Sequence, residues 1–170
     1  MKIMEELEKI LSPENFITID NIQNDNVQSI GIKINVWGIY NILTNAPKEV
    51  FEKITKPTAI SKHYDIGERA KASKSEEGIE KYVIKQNNTD FYVVYNGEDH
   101  NIRQRILAHF KGHQGTGCLA IFKYEELKEY KWQVKYLDLS NHDKQDNPLF
   151  RIYLEQAWRA QNGWPMLCKK

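Results

Sequence analysis

Apolar residues recur along this chain with two periods, and each period predicts a kind of element. Ile3, Met4, Leu7, Ile10 and Leu11 fall at helical spacing. Residues 1–11 therefore read as a short amphipathic helix whose stripe packs into a core, ended by Ser12-Pro13. After an irregular Asn-rich stretch at 21–28, alternation and β-branched residues predict a strand over Ile32–Ile42. Residues 47–56 read as a helix with Val50, Phe51 and Ile54 on one side, and 61–78 as a polar loop or short helix. Residues 80–85 and 91–95 predict two strands joined into a hairpin by the turn residues 86–90. Asp99 is placed to cap a helix over 101–110, and a Gly-rich loop follows at 112–117. A short helix at 124–129 and a strand over 132–139 come next. Pro148 then opens a last helix running from 149 to 160, with Gly163 as its stop. No repeat, low-complexity tract or linker interrupts the pattern, which predicts one α+β unit over residues 1–170 with a small, mostly antiparallel sheet flanked by helices.

Composition narrows the class. A chain of 170 residues suits one domain with a core. Hydrophobic residues at 41% and charged residues at 28% exclude disordered, collagen-like and coiled-coil readings. Lys plus Arg is 24 and Asp plus Glu is 23, so any polyanion must be met by a local basic face balanced by acid elsewhere. No apolar run is long enough to cross a bilayer. Lys2, Glu5, Glu6, Glu8 and Lys9 argue against a signal peptide, so Cys118 and Cys168 are expected as reduced thiols of a cytoplasmic protein.

Candidate chemistry begins at Arg105 and His109, which share a helix face at i and i+4. Arginine offers a planar fork for phosphate, and histidine relays protons near neutral pH. Alone, such a pair is more often a solvated helix face. His109, His113 and Cys118 match no compact zinc finger. Gly112, Gly115 and Gly117 lack the Gly-Lys-Ser/Thr of a Walker loop. Leu154, Trp158 and Trp164 read as core residues of the last helix.

The segment Tyr95-Asn96-Gly97, followed by Arg105 eight residues on and His109 four beyond, resembles the second motif of the GIY-YIG nuclease family. Gly38-Ile39-Tyr40 matches the naming tripeptide, inside an expected strand. A strand leading to a helix with Glu155, then Pro165, matches the third motif, and Glu155 is the only carboxylate of that helix. The resemblance covers residues 36–43 and 91–168. It departs from the family in two places. Residues 43–90 form a long insert between the first two core strands, beside an N-terminal extension at 1–34. Cys168 stands where the family often has asparagine, with Asn162 nearby. The expected hairpin leaves a second choice of first tyrosine open, Tyr82 in place of Tyr40.

The resemblance implies a metal-dependent DNA endonuclease. Glu155 would hold one Mg2+ (Mn2+ as substitute), Arg105 would bind the phosphate, Tyr40 would be the general base, His109 would assist it, and Tyr95 would orient water or phosphate. A phenol with a pKa near 10 serves as a base only if nearby positive charge favours the phenolate or if His109 takes its proton. With no linker to a separate DNA-reading domain, a self-contained type II restriction endonuclease acting as a homodimer on double-stranded DNA is expected. The alternatives are a structure-specific repair or mobile-element nuclease, and a nucleic-acid-binding module without catalysis.

Overall fold

The computed structural model describes residues 2–58, 64–75, 78, 80–87, 90–113, 115–144 and 146–169. Helix α1 (Lys2–Ile10) leads to a short strand β1 (Ile17–Ile19), and β2 (Gly38–Thr44) is followed by helices α2 (Lys48–Lys53) and α3 (Ile66–Ser75). Then come β3 (Tyr92–Asp99), α4 (Ile102–Lys111), β4 (Trp132–Asp138) and α5 (Pro148–Asn162). The strands make one four-stranded antiparallel sheet in the order β1-β4-β2-β3, so the fold is α+β with helices flanking a small sheet.

Side chains alternate between sheet faces along a strand, and here the alternation separates two cores. Ile39 and Leu137, paired across β2 and β4, pack with Leu7, Leu11, Leu154 and Trp158 under α1 and α5. Tyr40, Ile42, Val134 and Tyr136 face the other way, against Ile102, Ile106 and Phe110 of α4. Within β2 and β3, Tyr40 lies opposite Gly97 and Ile42 opposite Tyr95. Helices α4 and α5 thus cover opposite faces, and a register shift in the β2–β3 pairing leaves both Val94 and Tyr95 on the α4 side.

Several expectations are corrected. The strand expected over 32–42 begins only at Gly38, because Asn35 takes a left-handed backbone (φ 61°) that breaks extension. Leu7 of α1 and Leu11 just after it enter the core, whereas Ile3 and Met4 are exposed. Helix α2 stops at Lys53, short of Lys56, whose helical conformation Pro57 disfavours. Asn101 caps α4 by accepting from Gln104 N–H (3.2 Å), while Asp99 Oδ1 accepts from Asn101 N–H (2.7 Å). Strand β1 was not anticipated, since three residues carry too little alternation to read.

The largest correction concerns the expected hairpin. Glu80–Tyr82 is a single 3-10 turn, and Val83 makes only one parallel bridge, to Trp164. Strand β3 pairs with β2 on one side, and on the other Leu167 N–H bonds Val94 C=O (3.0 Å), so residues 80–85 have no place beside it. Asn88 and Thr89 of the expected turn, and Lys62, Glu76 and Glu77 of the charged stretch, lie outside the described residues. Cys118 and Cys168 are both buried and free. Among the described residues, no helix is long and apolar enough to cross a membrane.

Candidate active site

Tyr40, Tyr95 and His109, far apart in the chain, meet on the α4 side of the sheet. The Tyr40 and Tyr95 rings stack at 6.2 Å between centroids, and the His109 ring lies 4.5 Å from that of Tyr95. Gly97 makes this possible. A Cβ there would sit 2.5 Å from the Tyr40 hydroxyl and 3.1 Å from Tyr95 Cε1, so only glycine leaves room opposite Tyr40.

The hydrogen bonds of His109 define its tautomer. Leu119 N–H donates to Nδ1 (3.2 Å), so that nitrogen carries no proton. Burial, reinforced by the charges of Arg105 and Arg69, lowers the His109 pKa well below its ordinary value and keeps the ring neutral. Its one proton therefore sits on Nε2 and is donated to the Tyr40 hydroxyl oxygen (2.9 Å). In this tautomer His109 donates to the Tyr40 oxygen and is not placed to receive its proton. Burial, with Tyr95 beside it, raises the Tyr40 pKa well above 10, and the charge and hydrogen bonding of Arg105 pull against that rise.

Arg105, one turn before His109 on α4, is half-buried. Among the described residues it makes no ion pair with a carboxylate. Burial works against its charge, but the oxygens of Tyr40, Tyr95 and Tyr64 around it outweigh that and keep it cationic. A cavity of about 190 Å³, lined among others by Asp99, Gln104, Arg105, His113 and Thr116, opens beside it.

Glu155 comes from the opposite face. On α5, capped by Asn147 and ended at Gly163, it pairs with Arg159 one turn on. Arg159 also donates to Asn96 Oδ1 (3.1 Å) and Asn96 C=O (3.0 Å), so the pair is pinned at the edge strand β3. Asn96 Nδ2 in turn donates to Asn41 Oδ1 (2.8 Å), a buried polar chain leading from the sheet interior to Glu155. Burial raises the Glu155 pKa, Arg159 opposes, and the nearby Glu98 carboxylate adds to the rise. Glu155 does not touch Arg105, but its charge and that of Arg105 both act on Tyr95. The five expected residues therefore form a contacting cluster of four, with the acid approaching around the sheet edge. Tyr82 stands apart from them in its 3-10 turn, 60% exposed.

Three residues belong here that sequence reasoning did not assign. Tyr64 packs against Gly117, where a Cβ would come within 2.9 Å of its ring, and its N–H bonds Cys118 C=O (2.9 Å). The Arg69 guanidinium lies 3.5 Å above that ring. Asn96 adjoins Tyr95 in the motif itself, and adjacency to a motif was the one available signal. Cys168 accepts from Asn96 N–H and donates to Asn96 C=O (both 3.2 Å), and burial pushes its thiol up to about 11, so it seals the strand edge as a neutral group. Asn162 bonds Trp158 C=O within its own helix. Comparisons with protein-family models, curated proteins and solved structures return no match.

Proposed function

We propose that this chain is a metal-dependent DNA endonuclease of the GIY-YIG type, a sequence-specific type II restriction enzyme acting in the cytoplasm as a homodimer on double-stranded DNA. The observation that carries the reading is Arg105. A half-buried arginine with no carboxylate partner among the described residues, beside two tyrosines and a neutral histidine, suits an oxyanion and a proton transfer. The residues also match the family's motifs at Gly38–Tyr40, Tyr95–His109 and Glu155–Pro165. Residues 45–91 between β2 and β3 then stand as an insert into the family's core.

Among the described residues, no group of three His, Cys, Asp or Glu side chains is placed to hold a metal. The donors do fit an ion bound through one carboxylate and water. Glu155 Oε1 engages Arg159, and its second oxygen accepts no hydrogen bond among the described residues. Hard carboxylate oxygen with retained water suits Mg2+ or Mn2+, which when bound would offset charge on the phosphate and on the leaving oxygen. Arg105 binds a non-bridging phosphate oxygen. Tyr40 can take a proton from the attacking water only as the phenolate. Its own proton therefore first leaves to solvent, against the rise that burial imposes and with the help of the Arg105 charge. The new phosphorus–oxygen bond then forms as the bond to the 3′ oxygen breaks. Tyr40 has no exposed surface and Tyr95 is also buried, so that water enters only on local opening when DNA binds.

That burial, with the pairing of Glu155 to Arg159, also favours a second reading, a nucleic-acid-binding module without catalysis. Plasmid DNA incubated with the protein and Mg2+ separates the readings. Discrete metal-dependent fragments, absent with E155A and Y40F and kept with Y82F, support restriction. Cutting only of branched or damaged DNA supports a repair enzyme, and binding without cutting supports the module. Absence of both binding and cutting overturns all three.

A further inference from the structure

An arginine removed from water without a counter-charge costs free energy unless a ligand supplies one. Arg105 is one such group in this site, and Arg69 on α3 is a second. Arg69 Nη1 donates to Leu167 C=O (2.7 Å), while Nη2 is buried and, among the described residues, has no hydrogen-bond partner. No carboxylate among the described residues pairs with it. Asp65, one turn before it, accepts from Glu68 N–H through Oδ1. The charge of Arg69 acts on His109 of the proposed nuclease machinery and on Cys168 beside Asn96. Its guanidinium lies on the Tyr64 ring, and Lys169 Nζ lies 5.2 Å from the centroid of that ring. Two arginines and a lysine therefore gather around Tyr64 and Tyr95 in a chain whose net charge is only +1.

We propose that Arg69, with Lys169, is a second phosphate-binding subsite: it takes the backbone phosphate next to the one held by Arg105, and Tyr64 is its packing platform. The subsite rests on the nuclease reading above and supplies what that reading lacks, a grip on the DNA strand beyond the reacting phosphate. With the guanidinium held on the Tyr64 ring, an incoming phosphate gives Nη2 the partner it lacks. Arg69 comes from the segment between β2 and β3, so that segment contributes to substrate binding and not only to packing.

The test is the salt dependence of duplex DNA binding, with Ca2+ replacing Mg2+ so that nothing is cut. Each phosphate contact adds about 0.9 to the slope of log affinity against log salt. R69Q is expected to lower the slope by about one and to weaken binding about tenfold at low salt, alike for all sequences. R69K keeps the charge but not the fork, and is expected to keep the slope while binding several-fold more weakly. Thermal unfolding of each variant reads the fold separately. If R69Q does not fold, R69K decides, and wild-type affinity in R69K overturns the subsite. An unchanged slope in folded R69Q overturns it while wild-type cutting leaves the nuclease reading standing. Wild-type protein that neither binds nor cuts DNA removes both.

Discussion

At Gly97 a single hydrogen separates a working arrangement from a clash. The missing Cβ would meet the hydroxyl of Tyr40, which is fully buried and has nowhere to retreat. Overpacking of this kind costs roughly 1–3 kcal/mol. G97A is therefore expected to lower the unfolding midpoint modestly and to cut cleavage at least about tenfold, because the displaced group is the proposed base. Equal, small losses in both would show that Tyr40 only packs. His109 carries a pH prediction. Its pKa is lowered in the folded protein, so the unfolded chain binds the proton more readily, and stability is lost as pH falls below the ordinary value near 6.5. The loss has a slope of up to about 1.4 kcal/mol per pH unit. H109Q should flatten this limb in denaturant titrations at pH 4–7. If wild type and H109Q lose stability in parallel, the neutral buried ring is the wrong description.

Among the elements, α5 shows how a helix carries a site residue at a fixed height. Asn147 accepts from both Leu149 N–H (3.0 Å) and Phe150 N–H (3.4 Å), and Pro148 opens the first turn. N147A is expected to cost about 1 kcal/mol in urea unfolding. A neutral result would mean that tertiary contacts of Leu154 and Trp158 alone hold the helix. This helix was legible in the sequence because proline, glycine and an amphipathic stripe all agreed. So were β4 and α4. The resemblance implies one site for Tyr40, Tyr95, Arg105, His109 and Glu155; the first four meet, while Glu155 pairs with Arg159 at the sheet edge. The segment 80–85 was not legible. It has the alternation of a strand, but pairing depends on which edges of β3 remain free, and both are taken by residues distant in sequence. Arg69 was equally hidden. In sequence it is one cation in a stretch of mixed charge, and only the packing of α3 near the C-terminal residues distinguishes it from Lys71, which pairs with Glu68 at the surface.

For the molecule as a whole, residues 164–168 act as a strap. Trp164 N–H bonds Tyr82 C=O (2.8 Å) and its C=O accepts from Ile84 N–H (2.9 Å). Leu167 N–H bonds Val94, its C=O accepts from Arg69, and Cys168 bonds Asn96 in both directions. One short segment thus ties the 82–84 stretch and α3 to the edge of β3, the strand whose two faces carry Tyr95 and Asn96. An open sheet edge is also a template for wrong pairing, and this strap covers it. Leu167 has no exposure, so L167A leaves a cavity under all of these ties, at a cost of about 2–5 kcal/mol. The prediction concerns where that cost falls. If the strap joins the two halves of the site, L167A assayed well below its unfolding midpoint should weaken DNA binding as well as cutting, since Arg69 and the Asn96–Arg159–Glu155 chain both hang from the strap. C168S, which keeps a donor and an acceptor at Asn96, should do neither. A folded L167A that binds and cuts like wild type would mean that the strap serves stability alone, and that the two faces of the sheet are joined through β3 without it.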